Sequence, residues 1–206
     1  MRTFAPPSAV TAARLVRAIA VVSALVVMPS TGVAFAASHH RAQSTSTASC
    51  ADTGLRPTRE NNSRVEAATL CLVNVQRARH GRRALRPNAD LARSAARHSE
   101  DMVSENYFDH VSPTGETPLQ RIKASTYLPR RSSYLLGENI ALGTMELATP
   151  ASIVASWMES PDHRANILNP DFRDSGIGIV ARAPSRYSGG QPGATYTQQF
   201  GVISAR

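Results

Sequence analysis

Gly176-Ile177-Gly178-Ile179-Val180, then Ser188-Gly189-Gly190, then the run from Ala194 to Ile203 decide the fold. The outer two segments are rich in β-branched and aromatic residues, and turn chemistry stands between them. They predict an antiparallel hairpin near the C-terminal end. Upstream, the signals are mostly helical. Ser63 and Glu66 have capping-box spacing, and Val65, Ala68, Leu72 and Val75 recur at helical intervals before Gly81. A second helix is predicted from Asn88 or Asp90 to about Ser104. Its line Leu91, Ala95, His98, Met102 places a histidine on an apolar face, where it reads as a hydrogen-bonded packing residue. Thr117-Pro118, Thr149-Pro150 and Ser160-Pro161 each pair a cap residue with proline at the first helical position. They open short helices, the second reaching about Glu159 with Trp157 in the core, the third holding His163.

Between these helices, residues 105–117 read as a loop, Pro129 to Ser133 as exposed, and Gly137 to Ile140 as a short strand or loop. Strands do not alternate with helices as βαβ units require. The fold class is therefore α+β, with helices covering an antiparallel sheet.

The chain has 206 residues, 42% of them hydrophobic and 18% charged, which suits one domain plus a tail. Residues 1–36 read as a signal peptide: Arg2, Arg14 and Arg17 precede an apolar run from Ala18 to Met28, and Ala34-Phe35-Ala36 fits a small-x-small cleavage site. That run falls short of the roughly 20 apolar residues a spanning helix needs, so no membrane span is expected in the mature chain. Removing three arginines lowers the formal charge from +8 to +5. Residues 37–62, rich in Ser, Thr, Ala and Arg, read as a flexible tail, and 63–206 as the folded domain.

Export gives the two cysteines their meaning. Cys50 and Cys71 exclude a multi-cysteine metal cluster, and in an oxidising compartment they read as a disulfide. Closing that loop is worth about 3 kcal/mol. Of the 23 basic residues only Lys123 is lysine, a skew that reflects codon bias more than nucleic-acid binding. Arg82, Arg83 and Arg86, and Arg130 with Arg131, form small patches without interleaved aromatics, so no nucleic-acid partner is expected.

Three motifs follow in order: Tyr107-Phe108-Asp109-His110-Val111-Ser112-Pro113-Thr114-Gly115, Gly137-Glu138-Asn139-Ile140, and the run from Trp157 through Ser160-Pro161-Asp162-His163-Arg164 to Leu168. Gly176-Ile177-Gly178 and Gln199-Phe200-Gly201 complete the series. The ordered set resembles the CAP superfamily, or SCP domain, in its short bacterial secreted branch. The resemblance covers about Ser63 to Ile203. It implies a three-layer α-β-α sandwich with a cleft where two histidines meet acidic residues. Carried over by motif, those residues are His110, Glu138 and His163. The resemblance also implies an acid three residues past the tryptophan. Ser160 holds that position here, and the nearest acid is Glu159. The family is linked to lipid or sterol binding, signalling and defence.

His110 and Glu138 lie 28 positions apart, and His163 a further 25, so only a fold can join them. Two imidazoles and a carboxylate would suit Zn²⁺ with one open position, and such a metal could activate water. A metal-free His-Glu base with Ser112 or Ser160 as nucleophile is a second possibility. A hydrogen-bonded network that locks loops to the sheet is a third. His-Glu-x-x-His and Gly-x-Ser-x-Gly motifs are absent. The expected activity is binding of a lipid, a peptide, a cell-envelope component or a divalent metal outside the cell, with a metal-assisted hydrolase or peptidase as the alternative.

Overall fold

A computed structural model describes residues 49–130 and 132–204. The candidate signal peptide and the tail up to residue 48 lie outside the described residues. A four-stranded sheet runs in the order β1 (Arg86–Pro87), β3 (Asp174–Val180), β4 (Gly193–Ser204), β2 (Ser133–Thr144). The hairpin read from the sequence is present: β3 and β4 pair antiparallel from Asp174↔Gly201 to Val180↔Thr195. The motif Gly137 to Ile140 is not a short segment. It is the middle of twelve-residue β2, which pairs antiparallel with β4 over its whole length. The sheet is also mixed, because β1 adds a two-residue parallel pair against β3.

Helices cover both faces. The face carrying Ile177, Ile179, Tyr196 and Phe200 packs against α1 (Asn62–Arg79), α4 (Pro150–Glu159) and α5 (Pro161–Leu168). Trp157 belongs to this core, 1% exposed, and its indole N–H donates to the Ile140 carbonyl at 3.1 Å. The opposite face packs against α2 (Ala89–Ser104) and α3 (Pro118–Ala124). Contact with α2 depends on Gly176 and Gly178. A Cβ on either would come within 2.0 Å of the backbone nitrogen of Ala92 or Ala96. A short helix α6 (Ser185–Ser188) lies between β3 and β4.

Four of the predicted helix starts hold: Ser160 stands at the cap position before Pro161 of α5, and the other three carry side-chain caps. Asn88 accepts from the N–H groups of Asp90 and Leu91, Thr117 forms a capping box with Gln120, and Thr149 caps α4. The Ser63–Glu66 box does not form. Asn61 stands at the cap position, so Ser63 already lies inside the first turn. Glu66 instead lies by the Ile179 backbone on β3, while Asn62, one turn earlier, donates to the Ile179 carbonyl at 2.7 Å. Helix α1 thus caps part of the sheet edge that β1 is too short to reach.

Cys50 and Cys71 form the expected disulfide, with Cα atoms 5.8 Å apart. Two further contacts fix the residues preceding α1. Arg64 pairs with Asp52, and the Ala151 N–H donates to the Thr53 carbonyl at 2.9 Å. At the other end of α1, the buried Arg77 guanidinium donates to the carbonyls of Arg83, Ile167 and Asn169. One side chain thereby ties α1 to the end of α5.

Candidate functional site

The site lies along the free edge of β2. In the antiparallel pair with β4, residue 138 directs its carbonyl away from the ladder, and Asn166 on α5 donates to it at 3.2 Å. The Glu138 side chain points to the α2–α3 face. Only 3% of that side chain is exposed, so its charge needs partners. Arg121 on α3, equally buried, places Nη2 at 3.2 and 3.3 Å from the two carboxylate oxygens. Gln199, directly across the strand pair, donates to Oε2 at 3.0 Å. His110 contacts Oε1 through Nδ1 at 2.9 Å.

A carboxylate only accepts, so Nδ1 of His110 carries the proton and the lone pair lies on Nε2. The His110 side chain remains 44% exposed. The loop that carries it is held by the same arginine, since Arg121 also donates to the carbonyls of His110 at 2.6 Å and Glu116 at 2.9 Å. Burial pushes the Glu138 carboxyl up, but the His110 hydrogen bond, Arg121 and Gln199 outweigh burial. The group sits below its ordinary range.

His163 approaches from α5, on the other side of β2. Asn139 donates to its carbonyl at 3.1 Å, and Asn166 donates to the Asn139 side-chain oxygen at 2.9 Å. Burial lowers the His163 imidazole below its ordinary value, and the neighbouring His110 lowers it further. The two histidines therefore lie within electrostatic reach of each other.

The other sequence candidates stand apart from this contact set. Glu159, at the end of α4, is exposed and forms no side-chain hydrogen bond or ion pair among the described residues. Ser160 caps α5 by position without a side-chain bond. Ser112 is buried, and its hydroxyl is taken by Thr114 and by the Glu116 N–H within its own turn.

Three residues that the sequence did not single out for the site complete it: Arg121, Gln199 and His98. Gln199 stood within a motif, and His98 on the apolar line of α2, where it is indeed buried and hydrogen-bonded to Tyr107. Nothing local distinguishes Arg121 from other helix-borne arginines. Its role exists only once α3 packs on β2.

A Zn²⁺ set of His110, Glu138 and His163 does not fit this arrangement. Both Glu138 oxygens are engaged, and a guanidinium already balances the charge. Among the described residues, no group of three His, Cys, Asp or Glu side chains is placed to hold a metal ion. A groove of about 370 Å³ lies at the opposite edge of the sheet between α1, α2 and β3. It is mainly apolar, with Glu66 on its wall and no histidine.

Residues 70–200 match the cysteine-rich secretory protein family, CAP. The chain belongs to that family. A chain of similar sequence is the uncharacterised protein YkwD of Bacillus subtilis (strain 168), 38% identical over 138 residues, 67% of this chain and 47% of that protein. An uncharacterised membrane protein, YlbC of the same organism, is 35% identical over 55% of this chain and 31% of its own length. The chain thus spans less than half the length of these curated relatives. An extracellular SCP-domain protein from Bacillus anthracis str. Ames superposes with a TM-score of 0.53 at 29% identity, over 70% of this chain and 43% of that one. An outer surface protein of Borrelia burgdorferi shares the fold at 19% identity, with a TM-score of 0.53, over 66% of this chain and 90% of its own. The CAP-type α-β-α sandwich expected from the motifs is the fold observed. No helix among the described residues is long and apolar enough to cross a membrane.

Breaking a buried pair leaves an uncompensated charge, which costs about 3–5 kcal/mol. Arg121→Met should destabilise the CAP domain by this order in urea unfolding, and adding Glu138→Gln should recover part of the loss. Equal losses in the single and double variants would show that the two side chains are not coupled.

Stability should also depend on pH in a defined way. Burial keeps His98 neutral in the folded chain down to about pH 4, against an ordinary value of 6.5. The unfolded chain takes that proton first, so His98 removes stability as pH falls from 6.5 towards 4. Glu66 acts oppositely. Burial pushes its carboxyl up to about 6 from 4.5, so the folded chain takes the proton first and gains stability as pH falls. Glu66→Gln should therefore steepen the loss of unfolding free energy between pH 6.5 and pH 4.5. An unchanged or shallower slope would contradict the assignment of Glu66.

Proposed function

We propose that this CAP protein is exported and binds a small ligand outside the cell in the cleft formed by His110, Glu138 and His163. Export is supported by the signal-like residues 1–36. The description of the Bacillus anthracis relative as extracellular supports the location. The ligand class is a lipid, a peptide or a component of the cell envelope.

The observation that carries the reading is the 2.9 Å contact between His110 Nδ1 and Glu138 Oε1. Glu138 is buried and charge-balanced, so it stays ionised and fixes the His110 ring in one tautomer. Nε2 of His110 is then a directed acceptor in a cleft whose other wall is His163. A ligand hydroxyl, amide or protonated headgroup would donate to it. Arg121 and Asn166 hold the two walls by backbone contacts, so little ordering is required when a ligand enters.

The same pair is the arrangement of a general base and its orienting carboxylate, which favours a metal-free hydrolase as the second reading. There, Nε2 of His110 would take a proton from water as the water attacks a carbonyl. A serine nucleophile is not favoured, because the Ser112 hydroxyl is taken by Thr114 and the Glu116 N–H within its own turn.

Calorimetry of the mature protein against lipids, peptidoglycan fragments, short peptides and Zn²⁺ tests the proposal. An organic ligand should bind, and His163→Ala or Glu138→Gln should weaken it by about tenfold or more, an energy of about 1.4 kcal/mol. Zn²⁺ should show no stoichiometric binding that depends on Glu138. Binding unchanged in both variants, or none to any member of the panel, would overturn the reading. Turnover lost in His110→Ala would move the protein to the second.

A further inference from the structure

His98 lies fully buried on α2, behind the cleft. Among the described residues its Nε2 has no hydrogen-bond partner, and it stands 3.8 Å from Oε1 of Glu138. That is the oxygen His110 engages. On the other side of the ring, Nδ1 lies 3.4 Å from the Tyr107 hydroxyl. Tyr107 in turn donates to Oδ2 of Asp101 at 2.5 Å. The groups that face the ring are Glu138 from β2, Arg121 from α3, Asp101 from α2 itself, the Tyr107 hydroxyl and the Asp109 backbone carbonyl.

The hydrogens in this chain can be counted. A phenol has one O–H proton. Asp101 receives it, so the Tyr107 oxygen can only accept from His98. Nδ1 of His98 therefore carries the ring proton. Burial keeps the ring neutral, so there is no second proton and Nε2 presents a lone pair to Oε1. The opposite tautomer would aim an N–H at Oε1 and compete with His110 for it.

We propose that Asp101, Tyr107 and His98 form a positioning relay that keeps the His98 proton on Nδ1 and so keeps a second imidazole N–H from competing with His110 for Oε1 of Glu138. His98 acts through Glu138 and touches no ligand. The proposal rests on the His110–Glu138 pair being the working pair of the cleft. It adds a layer behind that pair, on the side of β2 remote from His163.

Side-chain ¹⁵N NMR of histidine-labelled protein at neutral pH reads the tautomer of each ring without any ligand. In the wild-type protein both His98 and His110 should be Nδ1–H. Tyr107→Phe keeps the aromatic ring and removes only the hydroxyl. In that variant the His98 signal should move towards the Nε2–H form, and His110 should lose its exclusive Nδ1–H signal. A packing role for Tyr107 would leave His110 unmoved, and that result would overturn the relay. The wild-type spectrum decides independently of how well the variant folds: His98 found as Nε2–H or as imidazolium also overturns it. His98 as Nδ1–H with His110 as Nε2–H would instead strike the cleft reading, and the relay would lose the pair it serves.

Discussion

A carboxylate with 3% of its side chain exposed cannot stay charged unaided, and in this protein Arg121 stands beside Glu138 to balance it. That ion pair sets the terms for the rest of the cleft. Because the carboxylate is held ionised, it accepts the Nδ1–H of His110, and the lone pair of that ring is left on Nε2. Because the same guanidinium also grips the His110 carbonyl, the loop and the carboxylate are fixed together. Removing the cation would therefore disturb the charge balance, the loop and the tautomer at once. It also explains why Glu138 is a poor zinc ligand here: a dication would have to displace an established partner from each oxygen.

The fold supplies these contacts through the pairing of β2 with β4. Twelve consecutive register pairs make β2 a straight edge, and Glu138 falls opposite Gln199 on the α2–α3 face. Residues one position away face α5, which lets Asn139 and Asn166 bring His163 round the edge. The glycines at 176 and 178 bring α2 close to the sheet. That close approach puts His98 within 3.8 Å of Glu138 from behind. The cleft thus joins both helical layers across one strand. Its rigidity comes from side chains that bond backbone carbonyls, Arg77, Arg121, Asn166 and Trp157 among them.

Features set by neighbouring residues were legible in the sequence. The caps at Asn88, Thr117 and Thr149 are local, and so is the turn that separates β3 from β4. The motif residues His110, Glu138 and His163 were legible through family resemblance, though no spacing rule joins them. What depended on tertiary packing was not legible. Glu66 matched a capping box, but Asn61 takes the cap position and Glu66 turns to the β3 edge at Ile179. The motif Gly137 to Ile140 looked like a short strand or loop because polar Glu138 and Asn139 interrupt its apolar pattern. Its true length follows from β4, which pairs with all twelve residues. Arg121 carries no sequence mark of burial, since an arginine on a short polar helix normally faces solvent. Glu159 and Ser160 looked close to the site along the chain, yet the end of α4 leaves Glu159 in solvent.

The central claim is that Glu138 is buried and nevertheless ionised, because Arg121, His110 and Gln199 together outweigh the cost of burial. A ¹³C NMR titration of the Glu138 side-chain carboxyl in the folded CAP domain measures this directly. The titration midpoint should lie below the ordinary glutamate value, with the carboxylate persisting into acid as long as the fold does. A midpoint raised above that value would mean that burial wins and that Glu138 is protonated near neutral pH. His110 would then lack the acceptor that fixes its ring.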